Sequence, residues 1–305
     1  MAVFLSLSPL SLKTQEWRVS TFAFGLILTA AWVHATWNFL AKRVGGGGLL
    51  VWLFNTIGFL CFLPVAIVIL AQQENRMDHV DLFFLTGTAI LHLVYFLVLQ
   101  RGYQTGDLSL VYPLARGTGP LLSTLLAILV LKERPTFAGL TGLGCIIVGV
   151  FLLTVQTSVK RSKKIQRTLS YGFACGLCIS AYSVWDKYAV DAQSIPPVVL
   201  EVFSAFGVSF MLTPYAVRNW NQVTKLWQRH HWEILCISIL APLSYILVLT
   251  ALTFTDLSYI APAREISIVI GAWMGSYFLG EKERTRRILA SVAMVTGLVA
   301  MASWG

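Results

Sequence analysis

The chain has 305 residues, of which 56% are hydrophobic and only 12% charged, against about 25% charged in a soluble domain. That composition excludes an ordinary soluble globular protein. The formal net charge of +9 sits in short stretches between apolar runs, which fits orientation in a membrane and argues against nucleic-acid binding.

Residues 1–18 are read as an N-terminal tail. Its apolar part has no basic region before it, so no cleaved leader is expected and the first span serves as its own targeting signal. A membrane-crossing helix needs roughly twenty mostly apolar residues. Ten such stretches follow, at 19–40, 49–71, 82–103, 108–131, 136–156, 169–190, 196–218, 233–254, 257–280 and 287–304. The first carries His34, Trp37 and Asn38 at i, i+3, i+4, and so on one helix face. Gly45 to Gly48 link it to the second and lack the Lys-Ser/Thr ending of a phosphate-binding loop. The third span contains His92. The fourth opens with Asp107-Leu108-Ser109, continues through Pro113 and Arg116, and ends at Leu131-Lys132-Glu133.

A basic linker at 157–168 holds Lys160, Arg161, Lys163, Lys164 and Arg167. It separates a first five-helix unit, 19–156, from a second, 169–305. In the sixth span Tyr182, Trp185 and Asp186 repeat the spacing of His34, Trp37 and Asn38, 148 residues on. Cys175 and Cys178 form a lone CxxC there, without a second pair to make a metal or redox site, and all five cysteines read as packing residues. Glu201 follows Pro196-Pro197 in the seventh span. The ninth opens with Asp256-Leu257-Ser258, continues through Pro262, Arg264 and Glu265, and ends at Leu279-Gly280-Glu281. The offset from the fourth span is 149 at the aspartates and 148 at the glutamates, and Gly149 and Gly297 continue it. Agreement at both ends of the unit indicates a duplication. Five spans per unit turn the second unit upside down, the inverted repeat met in secondary transporters, with a site near the midplane.

The HATWN run at 34–38, the GDLSLVYPLARG run at 106–117 and the Leu-x-Glu ends at 131–133 and 279–281 resemble the drug/metabolite transporter superfamily, EamA type, over about 19–304. The resemblance implies an all-α integral membrane fold, two inverted five-helix repeats around a central cavity. It also implies transport of small organic metabolites, often export, with substrates from amino acids to nucleotide sugars. No zincin, nucleophile-elbow or Walker sequence is present. No enzymatic activity, cofactor or metal is expected.

Intramembrane charges are costly and mark function. Arg116 lies nine residues past Asp107, Arg264 eight past Asp256, and His34 eight before Lys42. At ~1.5 Å per residue these positions reach about 12–13 Å into the membrane from opposite faces. Together with Trp37, Asn38, Tyr182, Trp185 and Asp186 they are the expected cavity lining. The other reading of the polar stripes is helix-packing glue. Each arginine follows a proline, which bends the helix. Guanidinium suits a carboxylate or phosphate, the alternative being an ion pair with Glu201 or Glu265. Either glutamate is also a candidate proton site.

The expected cargo is anionic or zwitterionic and amino-acid-like. Proton-coupled export of cations is the alternative, against which the absence of a carboxylate from span 1 counts. A non-transporting scaffold and an intramembrane enzyme are readings of other classes. The expected setting is a bacterial-type plasma membrane, as a monomer or homodimer whose partners are lipid and a small molecule. Lys13, Arg18, Arg76, Lys132, Arg134 and Lys187 fall on the side of the termini. The other fifteen of the 23 Lys and Arg, Arg116 and Arg264 apart, fall on the linker side. The positive-inside rule then places the linker in the cytoplasm, whereas the resemblance implies cytoplasmic termini.

Overall fold

A computed structural model describes residues 21–73, 77–105, 108–154, 163–279 and 284–304. All regular structure among the described residues is helical. The helices are α1 (Thr21–Val44), α2 (Gly47–Gln72), α3 (His79–Thr105), α4 (Leu108–Leu126), α5 (Phe137–Thr154), α6 (Lys163–Asp191), α7 (Pro197–Arg218), α8 (Trp220–Leu252), α9 (Leu257–Ala263), α10 (Ile266–Leu279) and α11 (Arg284–Trp304). The helix α4 runs on into a π-helical turn, Ala127–Leu131. Helices α9 and α10 are two pieces of the ninth span, so the elements make ten spans. The tail expected at 1–18 and residues 157–162 of the linker lie outside the described residues; α6 already includes Lys163.

Local chemistry sets the joints. Gly45, Gly46 and Gly47 have φ of 69°, 85° and 52°, the left-handed turn that reverses the chain between α1 and α2. Pro197 opens α7 at the position where a missing N–H costs nothing. The ninth span breaks at Arg264–Glu265. Pro262 has no N–H to give, and the next bonds tighten to three-residue spacing, Glu265 N to Pro262 O and Ser267 N to Arg264 O. The helix α4 carries Pro113 without such a break.

Packing exchanges the two units. The helix α1 packs on α8 as α3 packs on α6, while α2 meets α7 and α5 meets α11. Glycine contacts show the exchange residue by residue. A Cβ on Gly58 would lie 2.8 Å from Ser238 O, and one on Gly207 would lie 2.5 Å from Ala89 Cβ. Both members of these pairs differ by 149: 58 and 207, 89 and 238. Likewise Gly149 abuts the Ala290 carbonyl and Gly297 the Gly142 carbonyl, with both members offset by 148. Residue 142 meets 297 while 149 meets 290, so α5 and α11 run antiparallel. The two units are therefore inverted copies in close backbone contact.

Candidate functional site

A cavity of about 450 Å³ lies between the two units. Its mouth is at the α1–α2 turn, where Gly45, Gly47 and Val51 line it, and its inner end is at Tyr245 and Arg264. It thus opens on the side of the α1–α2 turn and the linker. Toward the side of the termini the path is filled: Leu249, Leu252, Leu257 and Ile260 are fully buried, and Phe84 nearly so.

Six sequence-predicted residues line the cavity: His34, Trp37, Asn38, Tyr182, Glu201 and Arg264. His34 stacks edge-on against Trp37 at 5.1 Å and lies 3.4 Å from Ser244 Oγ. The Trp37 indole N–H is buried without a hydrogen-bond partner among the described residues. Asn38 donates to the His34 carbonyl one turn back. Glu201 makes no hydrogen bond or ion pair with any described residue. Arg264 sits where the ninth span breaks, as in the discontinuous helices of inverted-repeat sites.

Four other candidates are not among the described lining. Asp186 does not line the cavity; it is fully buried just behind the wall. There it accepts hydrogen bonds from Thr88 (2.7 Å) and Tyr245 (2.5 Å) and faces His92 Nε2 at 3.0 Å. Trp185, expected on the wall, packs instead on the face of Gly87, among Phe83 and Phe84, and donates to the Phe84 carbonyl. A Cβ on Gly87 would fall 2.2 Å from the indole, so the ring fills a slot that only glycine leaves open. Glu265 is buried at the α9–α10 joint away from the cavity. Arg116 lies in α4, but its side chain is outside the described residues.

Other residues complete the lining. His92, Tyr95 and Phe96 of α3 face Ser244 and Tyr245 of α8 across the space. His92 stacks on Tyr182 at 4.4 Å. Asn55 and Ser204 add polar groups. Tyr245 gave no sequence signal of its own, being one tyrosine in an apolar run. The repeat does supply one: Phe96 and Tyr245 are 149 apart, as are Tyr95 and Ser244.

The closed side is held by caps between the units. Glu133 accepts the backbone N–H groups of Leu257 (2.8 Å) and Ser258 (2.9 Å), the first turn of α9. Glu281, its counterpart in the second unit, lies outside the described residues. Burial and the nearby Asp256 push the Glu133 carboxyl above the ordinary range. Lys187 is buried, donates to the carbonyls of Leu252 (2.8 Å) and Thr255 (3.2 Å), and pairs with Asp191 at 2.9 Å. It holds the end of α8 with the cation a helix C-terminus favours.

Comparison with known proteins agrees with this architecture. The profile of the EamA-like transporter family matches residues 21–155 and again 166–303. The chain belongs to that family: it is a multi-pass membrane transporter with two EamA units, and not an enzyme. An uncharacterized protein of Methanocaldococcus jannaschii is 30% identical over 133 residues, 42% of this chain and 93% of the relative. A protein of known crystal structure superposes with a TM-score of 0.75, over 93% of this chain and 99% of its own, at 14% identity, a likeness of fold.

Proposed function

We propose that the transporter carries a small zwitterionic, amino-acid-like metabolite by alternating access. The observation that supports this is that Glu201 and Arg264, opposite charges on α7 and on the broken ninth span, line one cavity. Arg264 takes the cargo's carboxylate. Glu201, with no hydrogen-bond donor on it among the described residues, takes the ammonium. Trp37 offers an indole face and an uncommitted N–H, and Tyr182, His34 and Asn38 complete the wall. Arg116 is assigned as a second anion contact. Asp186 is a positioning residue that fixes His92 and Tyr245. With the linker side in the cytoplasm, a cavity open to that side loads from the cell, the arrangement of an exporter.

The alternative, proton-coupled export of a cation, rests on the same Glu201, which can take a proton in place of an ammonium. A thermal-shift screen of the purified protein separates the two readings. It compares zwitterionic amino acids with their amides, which lack the carboxylate, and with N-acetyl forms, which lack the ammonium. Stabilisation by the zwitterion alone, lost in Arg264→Gln and in Glu201→Gln, supports the proposal. Equal response to the amides favours the cation reading, and an unchanged response in Arg264→Gln refutes the assigned carboxylate contact.

A further inference from the structure

The helix α8 is 33 residues long, about 50 Å at ~1.5 Å per residue, where a membrane core spans about 30 Å. It does not run straight. His230 has φ −136° and ψ 28°, outside the helical region, and Asn219 before the helix has φ −114° and ψ 28°. Residues 220–229 are therefore a separate helical piece between two bends, leaving 231–252 to cross the membrane.

This piece has three faces. Val223 is buried and Leu226 half-buried, packed with Leu50 and Leu53 of α2, and Leu226 Cδ2 lies 2.7 Å from where a Gly46 Cβ would stand. A second face carries Trp220 and Trp227, with Trp232 just beyond the bend; they are 52%, 36% and 70% exposed. The third face, roughly opposite the tryptophans at 100° per residue, carries Lys225 and Arg229, in line with Arg218, all exposed. No acidic residue lies between Glu201 and Glu233, and Glu233 faces His230 at 3.5 Å. Arg43, exposed at the end of α1, adds a further cation on this side. Exposed tryptophans opposite a basic face, at the end of membrane spans, are the signature of a helix lying in the interface of a bilayer.

We infer that residues 220–229 form an interfacial helix that binds anionic phospholipid headgroups through Arg218, Lys225 and Arg229 while Trp220, Trp227 and Trp232 anchor it among the acyl chains. The charge complement is specific: three cations, no acids, and a bilayer surface as the medium in which the helix lies. Leu226 seats the helix on the α1–α2 turn, whose glycines rim the cavity. The lipid thereby acts on the cavity's mouth.

The test uses the full chain in liposomes of phosphatidylcholine with a minor fraction of dibrominated phosphatidylglycerol or dibrominated phosphatidylcholine, reading quenching of tryptophan fluorescence. The brominated anionic lipid is expected to quench more than the brominated neutral one. The Arg218→Gln/Lys225→Gln/Arg229→Gln variant should lose that excess, with binding weakened about fivefold per cation removed. About 0.5 M salt should suppress it in the unmodified protein. Replacing Trp220, Trp227 and Trp232 by Phe should remove most of the excess signal. A Lys132→Gln/Arg134→Gln variant, altered on the opposite face, should keep it. Equal quenching by the two lipids, or an excess that survives the triple Gln change, overturns the inference. Equal loss in the Lys132/Arg134 variant would show bulk charge attraction, and displacement by soluble glycerol 1-phosphate a free-phosphate site; either overturns it too.

Discussion

Arg264 holds its guanidinium 5.6 Å from the centroid of the Tyr245 ring. The same tyrosine donates its hydroxyl to the buried Asp186, so one side chain serves a cation with its face and an anion with its tip. The two roles are separable. Tyr245→Phe keeps the face and removes one of the donors on Asp186, which should cost about 1 kcal/mol of stability. Tyr245→Leu removes both and should cost more. Melting of the purified variants in detergent checks the order; a Phe variant less stable than the Leu variant would contradict it.

The α5–α11 crossing depends on absent side chains. Gly297→Ala places a methyl group 2.5 Å from the Gly142 carbonyl oxygen, and overpacking of this kind costs about 1–3 kcal/mol. Gly149→Ala, its counterpart against Ala290, should behave alike. Gly25→Ala, where nothing lies within 4 Å, should be neutral or slightly stabilising. Monodispersity after stepwise heating reports all three.

Glu133 gives the closed side a pH dependence. Burial, then the Asp256 charge, raise its carboxyl above the ordinary carboxylate range. Burial raises Asp256 as well. A raised carboxyl in the folded state contributes stability at low pH and loses it as pH climbs through the folded value. Melting temperature should therefore fall as pH rises from about 5 toward neutrality. Glu133→Gln should flatten that fall, at the cost of one of the two α9 caps. A slope that Glu133→Gln leaves unchanged assigns the dependence elsewhere.

Orientation is testable with single cysteines in a cysteine-free background. Gln228, exposed on the interfacial helix, lies on the linker side, and Lys132, also exposed, on the side of the termini. By the cation bias, Gln228→Cys should react with an impermeant thiol reagent only after cells are permeabilised, and Lys132→Cys without it. The reverse pattern would place the termini in the cytoplasm.

The duplicated pattern was legible because offsets of 148 and 149 recur at polar residues whose presence in an apolar span needs a reason. Which stripe meets the cavity was not. Helical spacing puts Trp185 and Asp186 on a face with Tyr182, as it puts Trp37 and Asn38 near His34, but periodicity says nothing about the neighbour that covers that face. On α6, Trp185 and Asp186 are covered by α3, with Tyr245 of α8 closing on Asp186, while α1 packs only lightly on α10 and leaves its stripe to the cavity. The interfacial helix was hidden for a different reason. A hydropathy reading starts the eighth span at 233 and leaves Trp220 to Arg229 as loop. Interleaved tryptophans and cations were the available signal.

The unequal embrace of α1 and α6 has a structural corollary. Their sequences follow one pattern, yet α4 holds α6 closely while α10, the equivalent of α4's later part, touches α1 sparingly. Trading these two relationships by the repeat offset yields a second arrangement of the same chain, with α1 clasped and α6 released. In that arrangement the space beside Tyr182 would widen toward the termini, and the mouth at Gly45 would shut. Under the proposed alternating access, a single sequence would thus serve two conformers, each close to the upside-down image of the other.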